Sequence, residues 1–359
     1  TLDRSSAASD VYKRQEDGSH GHLFVAQHFC SHAAAAWALR RRALATQTSQ
    51  SWHTYELEGV GPMTLAHVLN ETEERVARGD VARFRALATG FSPLDEVLNG
   101  GIRRGELLIV GGRFGVGKTI FGLQMARNVI YREPDAHAMV ICYEHDQIHL
   151  LMRLLCLESA EQGKGDDALT LRRLNDMALG PTNGRGLISA LRNDPRYAGT
   201  MEVISKYADR LTLVKASGDT STLDQIRQWA QEAALEKPAK LLVVVDYLQK
   251  IPVQAASLRP ETEVTTFLAH GLKEMAMGLG VQVVAIAASD RPGLKAPRMR
   301  MADLRGSSAI QYEADIGMIL NNKHQIVSRE HLVYNLARAE GMRNWVVMTI
   351  EKNRAGRNT

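Results

Sequence analysis

A chain of 359 residues with 45% hydrophobic side chains can bury one large core or two ordinary ones, and a formal charge of +4 is too small to mark a polyanion-binding protein by itself. Three cysteines, Cys30, Cys142 and Cys156, are odd in number and lack C-x-x-C spacing, so neither a disulfide framework nor a zinc site is supported and a reducing compartment fits best. No run approaches the roughly 18 apolar residues of a membrane-spanning helix, and no hydrophobic signal core precedes a small-residue cleavage site; the expectation is a soluble, cytoplasmic α/β protein with no membrane partner.

Residues 1–60 mix Ser, Ala, Gly, His and Arg without sustained periodicity, which predicts an irregular or disordered extension. Within it "SHAAAAWALRRR" reads as a short basic helix, while Asp3, Asp10, Glu16 and Asp17 argue against a transit peptide. Residues 61–87 are expected to form a linker: Leu65, Val68, Leu69 and Val76 recur near helical spacing, with a charged opposite side. That stripe needs a surface to dock on. From 88 to 359 short apolar runs alternate with helical ones. Strands are predicted at 106–112, 138–144, 211–216, 240–247, 281–289, 316–322 and 344–353, and helices at 118–132, 147–160, 221–236 and 261–279. Helix 221–236 opens with Ser221 and Asp224 in the spacing of a capping box. Near-continuous Val, Ile and Leu in the strands predict a mostly parallel sheet covered by helices on both faces.

The first strand runs into "GRFGVGKT", Gly112 to Thr119, which satisfies the phosphate-binding pattern G-x-x-x-x-G-K-[ST] between a strand and a helix. Gly112, Arg113, Gly115, Val116, Gly117, Lys118 and Thr119 are therefore expected to cradle a nucleotide. Glycines let successive N–H groups turn inward, and the helix N-terminus adds positive potential. Lys118 is expected on the β- and γ-phosphates of ATP and Thr119 on Mg²⁺. "LLVVVDY" ends an apolar strand on Asp246, where a second acidic group should stand beside the metal. Glu144, in "ICYEHD", is the candidate general base for the attacking water, with His145 and Asp146 as rivals.

Taken together and in this order, "TGFSPLDEVLNGGIRRGELLIVGGRFGVGKT", "YEHD", "VVVDYLQKI", "MADLRGSSAIQYEADIGMIL" and "EKNRAG" resemble the ATPase domain of DnaB-type replicative helicases, over about residues 63–358. The resemblance implies a RecA-like P-loop fold and an ATP-driven DNA helicase that hydrolyses ATP between subunits of a hexameric ring while moving on single-stranded DNA. It also implies primase or a loader as partner, and a linker helix docked on the next subunit. By the same likeness, Lys352 and Arg354 reach a neighbour's site as a trans-acting lysine and arginine finger. Two loops, 250–262 and 290–305, would face the ring channel. The second holds Arg291, Lys295, Arg298, Arg300 and Arg305 against Asp290 and Asp303, a balance suited to tracking a phosphate backbone, without aromatics for base stacking.

Three features depart from the family. Its fifth strand normally ends in Ser-Gln, a sensor of the γ-phosphate, and this chain has Ala287-Ala288 followed by Ser289. No primase-interacting N-terminal domain is recognisable, and the family would continue beyond Thr359 into a final strand, as if this were a fragment. Two alternatives follow: a RecA- or KaiC-like regulatory or recombination ATPase, and a non-catalytic DNA-binding or loader subunit that uses ATP as a structural clamp.

Overall fold

A strand buried on both faces must send alternate side chains into two separate cores. The computed structural model shows this arrangement; it describes residues 61–79, 81, 84–163, 165–180, 186–236, 240–253, 260–290, 296, 298–326 and 340–356. The readings made for residues 1–60 lie outside the described residues. The chain divides between Glu71 and Thr72, within helix α1 (Leu65–Ala77), and Thr72–Thr359 holds the sheet. Its strands are β1 (Leu107–Gly112), β2 (Ala136–Cys142), β3 (Leu211–Lys215), β4 (Lys240–Asp246), β5 (Gln282–Ile286), β6 (Ile316–Asn322) and β7 (Val346–Asn353). They form one sheet in the order β3-β2-β4-β5-β1-β6-β7, in which every pair is parallel except β6 with β7.

Helices cover both faces. Leu108, Val110, Val140, Val244 and Val284 pack in one core with α3 (Lys118–Arg132) and α4 (Gln147–Glu161). Their strand neighbours Leu107, Ile109, Ile141, Val243 and Val283 pack in the other with α8 (Leu223–Glu236) and α9 (Glu261–Leu279). Shorter helices complete the unit: α2 (Ser92–Val97), α5 (Leu171–Leu179), α6 (Leu187–Asn193), α7 (Ala198–Ser205), α10 (Ser307–Glu313) and α11 (Lys323–Ile326). Among the described residues, no helix is long and apolar enough to cross a membrane.

Several sequence expectations shift. β2 stops at Cys142 rather than 144, because the chain bends there after the Tyr143 N–H donates to the Asp246 carbonyl at 2.7 Å. β5 stops at Ile286 rather than 289, since the Ala288 N–H is taken by the Gln249 side chain instead of a strand. The cap of α8 is one residue later than expected: the Thr222 hydroxyl accepts from Gln225 N–H at 3.3 Å, while Ser221 Oγ accepts from Ser217 N–H at 2.9 Å. Helices α5 to α7 are additions to the sequence expectation; at two turns or so each, they hardly repeat a 3.6-residue pattern. The apolar stripe of α1 is present, and Leu65, Val68, Leu69 and Val76 are all exposed.

One buried ion pair joins the helices that flank the site. Arg127 on α3 donates to both carboxylate oxygens of Glu158 on α4, at 2.6 and 2.8 Å, and the Tyr207 hydroxyl donates to Glu158 at 2.7 Å. Arg127 also pairs with Glu161 at the end of α4. Side-chain exposures of 7% for Arg127 and 3% for Glu158 leave neither charge an alternative in water. Glu158→Ala is therefore expected to destabilise the fold by about 3 kcal/mol, the scale for stranding one charge of a buried pair. Urea unfolding checks this, and a midpoint equal to that of the unchanged chain would contradict it.

Candidate functional site

The C-terminal ends of β1, β2, β4 and β5 open on the same side of the sheet, which is where parallel α/β folds place their ligands. Beyond β1 the backbone passes through Gly112 at φ +155°, Gly115 at +74° and Gly117 at +99° before α3 begins. Two of these positions demand glycine. At Gly112 a Cβ would stand 2.8 Å from the Leu320 carbonyl oxygen of the neighbouring strand, and Gly117 is the left-handed cap that turns the chain into α3. The loop and the first turn of α3 form one wall of a cavity of about 310 Å³.

Lys118, Thr119, Glu144 and Asp246 all line this cavity. The Lys118 ammonium donates to the carbonyls of Gly112 at 2.8 Å and Arg113 at 3.0 Å, with its nitrogen 5.8 Å from the centre of the exposed Phe114 ring. Burial lowers the Lys118 pKa, against Asp246 and then Glu144, which raise it. Asp246 is only 2% exposed, and burial raises its pKa; Glu144 adds to the rise, while the Thr119 hydroxyl, the Cys142 thiol and Lys118 oppose it. The thiol lies 3.7 Å from the carboxylate and is itself pushed up to about 11 by burial first and by Asp246 next. Glu144 follows β2 on an exposed bend rather than on the strand itself.

A hydroxyl hydrogen-bonded to a carboxylate, both beside an ammonium group, is an oxygen-donor pair of the kind that binds Mg²⁺ together with phosphates. The residues present fit that ion. The second wall comes from His145, just before α4, and from His149 and Arg153 on it; of these the sequence pattern points only to His145, as a rival base. His145 and His149 stack with ring centres 4.2 Å apart, and His149 Nε2 accepts from Arg153 Nε at 3.2 Å. Burial first, then His145 and Arg153, lower the His149 pKa, with Asp146 opposing. His149 and Arg153 stand one turn apart on α4, and His145, just before the Asp146 cap, continues the same four-residue spacing, which is the signal the sequence carries.

Other predicted residues lie elsewhere. The Arg113 guanidinium leads away from the cavity, to Gln325 Oε1 at 3.1 Å and to the Ala296 carbonyl. Lys352 and Arg354 sit at the opposite end of the sheet: Asn353 pairs with Ile316 at the start of β6, whereas Gly112 pairs with Leu320 near its end. At ~3.3 Å per strand residue, that places them more than about 10 Å from the cavity of their own chain. Arg354 donates to Asp315 Oδ1 at 3.1 Å and the Tyr312 carbonyl at 2.8 Å, and Lys352 to the carbonyls of Tyr312 at 3.2 Å and Gln311. Arg298 donates to Thr349 Oγ1 at 3.1 Å and Arg300 pairs with Glu351 at 3.2 Å, so both are held against β7. Arg291 and Lys295 lie outside the described residues. Ala288 lines the cavity at the place of the family's polar sensor, while Ser289 is buried and its hydroxyl has no hydrogen-bond partner among the described residues.

The raised Asp246 pKa carries a sign. Its charged form is disfavoured in the folded state, so the fold loses stability as pH rises through the folded-state pKa and regains it as pH falls. Asp246→Asn is expected to raise the thermal midpoint at neutral pH, and the gain should shrink toward acid pH. Melting curves at several pH values read this directly; a lower midpoint at neutral pH would contradict it.

Known proteins resemble this chain in sequence and in fold. The family described as DnaB-like helicase C terminal domain matches residues 86–180 and 183–359. The replicative DNA helicase DnaB of Geobacillus stearothermophilus is 28% identical over 232 residues, which is 64% of this chain and 46% of that protein. The chain spans about half the length of the curated relatives it matches. Two solved structures share its fold: an ATPase domain (TM-score 0.63, 19% identity, covering 83% of this chain and 94% of that one) and a DnaB-like replicative helicase studied with primase (TM-score 0.60, 16% identity, covering 99% and 74%).

Proposed function

Because the chain belongs to the DnaB-like helicase C-terminal domain family, we propose that it is the motor domain of a replicative DNA helicase, hydrolysing ATP in the cavity beyond β1. The observation that carries the proposal is the convergence of Lys118, Thr119, Glu144 and Asp246 on that single cavity. Lys118 would exchange the carbonyls of Gly112 and Arg113 for β- and γ-phosphate oxygens. Thr119 and Asp246 would hold Mg²⁺, which when bound neutralises phosphate charge. Glu144, exposed at the mouth, would orient and deprotonate the attacking water.

Lys352 and Arg354 face away from their own cavity, which supports a role in a neighbour's site. A guanidinium entering there would neutralise charge developing on the transferred phosphoryl group. Hydrolysis would then require assembly, as in a hexameric ring. Single-stranded DNA would be contacted by the loop 290–305, with Arg298 and Arg300 exchanging Thr349 and Glu351 for phosphates, joined by Arg291 and Lys295. Primase or a loader as partner belongs to the same proposal.

A RecA- or KaiC-like regulatory ATPase is the second reading, favoured by Ala287-Ala288 in place of the family's Ser-Gln. ATPase rate with and without single-stranded DNA, a mass measurement of the assembly, and strand displacement separate the two. DNA-stimulated turnover by a hexamer that never unwinds a duplex would favour the second reading. Glu144→Gln is expected to keep ATP binding within about threefold and to lower turnover by roughly 10²-fold or more, the scale of general-base loss; turnover close to that of the unchanged chain would remove the assigned base. Arg354→Ala is expected to keep ATP binding and lose hydrolysis, with activity restored when mixed with Lys118→Ala subunits. Mixed assemblies that stay inactive would rule out action in trans.

A further inference from the structure

The cavity-lining residue Ala288 is tied to a side chain outside the cavity. Its N–H donates to Gln249 Oε1 at 3.0 Å, and Gln249 Nε2 donates to the Arg305 carbonyl at 3.1 Å. Around this amide the base of the loop 290–305 is closed by backbone pairing. Arg305 N–H donates to the Ala288 carbonyl at 3.0 Å, Asp290 N–H donates to the Asp303 carbonyl at 3.0 Å, and Ser289 and Leu304 form an antiparallel bridge. Arg305 also pairs with Glu261, the first residue of α9. Gln249 follows Asp246 by one short turn, anchored by the fully buried Leu248 between them.

We propose that Gln249 is a positioning residue that couples occupation of the cavity to the paired base of this loop, residues 288–290 and 301–305. A carboxamide suits the task because it accepts from one strand end and donates to the other. Neither Ala287 nor Ala288 has a side chain that can do so, and the Ser289 hydroxyl is buried away from the cavity. Any adjustment of the β4 end, where Asp246 stands, is passed through Leu248 and Gln249 to both sides of the loop base. The proposal rests on the reading that the cavity binds nucleotide phosphates.

The test uses the full chain with a slowly hydrolysed ATP analogue and magnesium, following amide hydrogen exchange over 286–290 and 298–305. ATP turnover is measured alongside, with and without a single-stranded deoxythymidine oligomer. In the unchanged chain the analogue is expected to slow exchange in both segments. Gln249→Ala should bind the analogue and turn over ATP without DNA within about twofold of the unchanged chain, while the slowing at 298–305 and any stimulation by DNA fall about fivefold or more, the low end for coupled sites. Gln249→Glu keeps the acceptor for Ala288 but cannot donate to Arg305, so it should retain the effect at 286–290 and lose it at 298–305. If Gln249→Ala fails to fold, as judged by its melting curve, the Gln249→Glu comparison carries the result.

Slowing at 298–305 that survives both substitutions, or that is absent from the unchanged chain with analogue bound, overturns the role of Gln249. Absence of DNA stimulation in the unchanged chain removes the DNA part of the proposed function, and exchange alone then decides the coupling. Failure of the unchanged chain to bind the analogue overturns both.

Discussion

The site is organised around a carboxylate placed where carboxylates are least comfortable. β4 delivers Asp246 to the end of an otherwise apolar strand, almost out of reach of water, with a hydroxyl, a thiol and a nearby ammonium as its compensation. Burying a charge with so few partners is unfavourable unless something else completes its surroundings. The cavity wall opposite, built by the glycine loop and the first turn of α3, brings Lys118 and Thr119 to that point. A hard cation with attached phosphates would answer the need of all three side chains at once.

Stability and chemistry are divided between the two ends of the sheet. Away from the cavity, Asp315 accepts from Leu107 N–H at 2.8 Å, Lys273 Nζ at 2.6 Å and Arg354 at 3.1 Å, a set of hydrogen bonds that ties β1, α9 and the end of β7 together. At the cavity end, compensation is incomplete and pKa values move: Asp246 up, Lys118 and His149 down. Opposing shifts gathered in one cleft, on side chains that line a cavity, mark it as the candidate site.

Much of this was readable in the chain itself. The glycine pattern between an apolar strand and a helix located the loop, because few sequences need positive φ at those positions and then a Lys-Thr pair. Asp246 and Glu144 followed from their places after apolar strands. Contacts between distant segments were not readable. That Arg298 and Arg300 bind Thr349 and Glu351 depends on the antiparallel return of β7, which the run of apolar residues at 344–353 does not announce. Gln249 was likewise visible only as part of a motif, since its partners at 288 and 305 meet it through the fold. The short helices between α4 and β3 are too brief for a local periodicity to show itself.

The buried bridge from Arg127 to Glu158, with Tyr207 behind it, has a mechanical corollary. It fastens the helix carrying the glycine loop's lysine to the helix carrying His149 and Arg153, so these two sides of the cleft form one rigid jaw. The opposite jaw, the tips of β4 and β5, is tied differently, by Tyr143 N–H on the Asp246 carbonyl and by Ala288 N–H on Gln249 Oε1. The two helices of the first jaw should therefore travel together, as one block, whenever the cleft fills or empties.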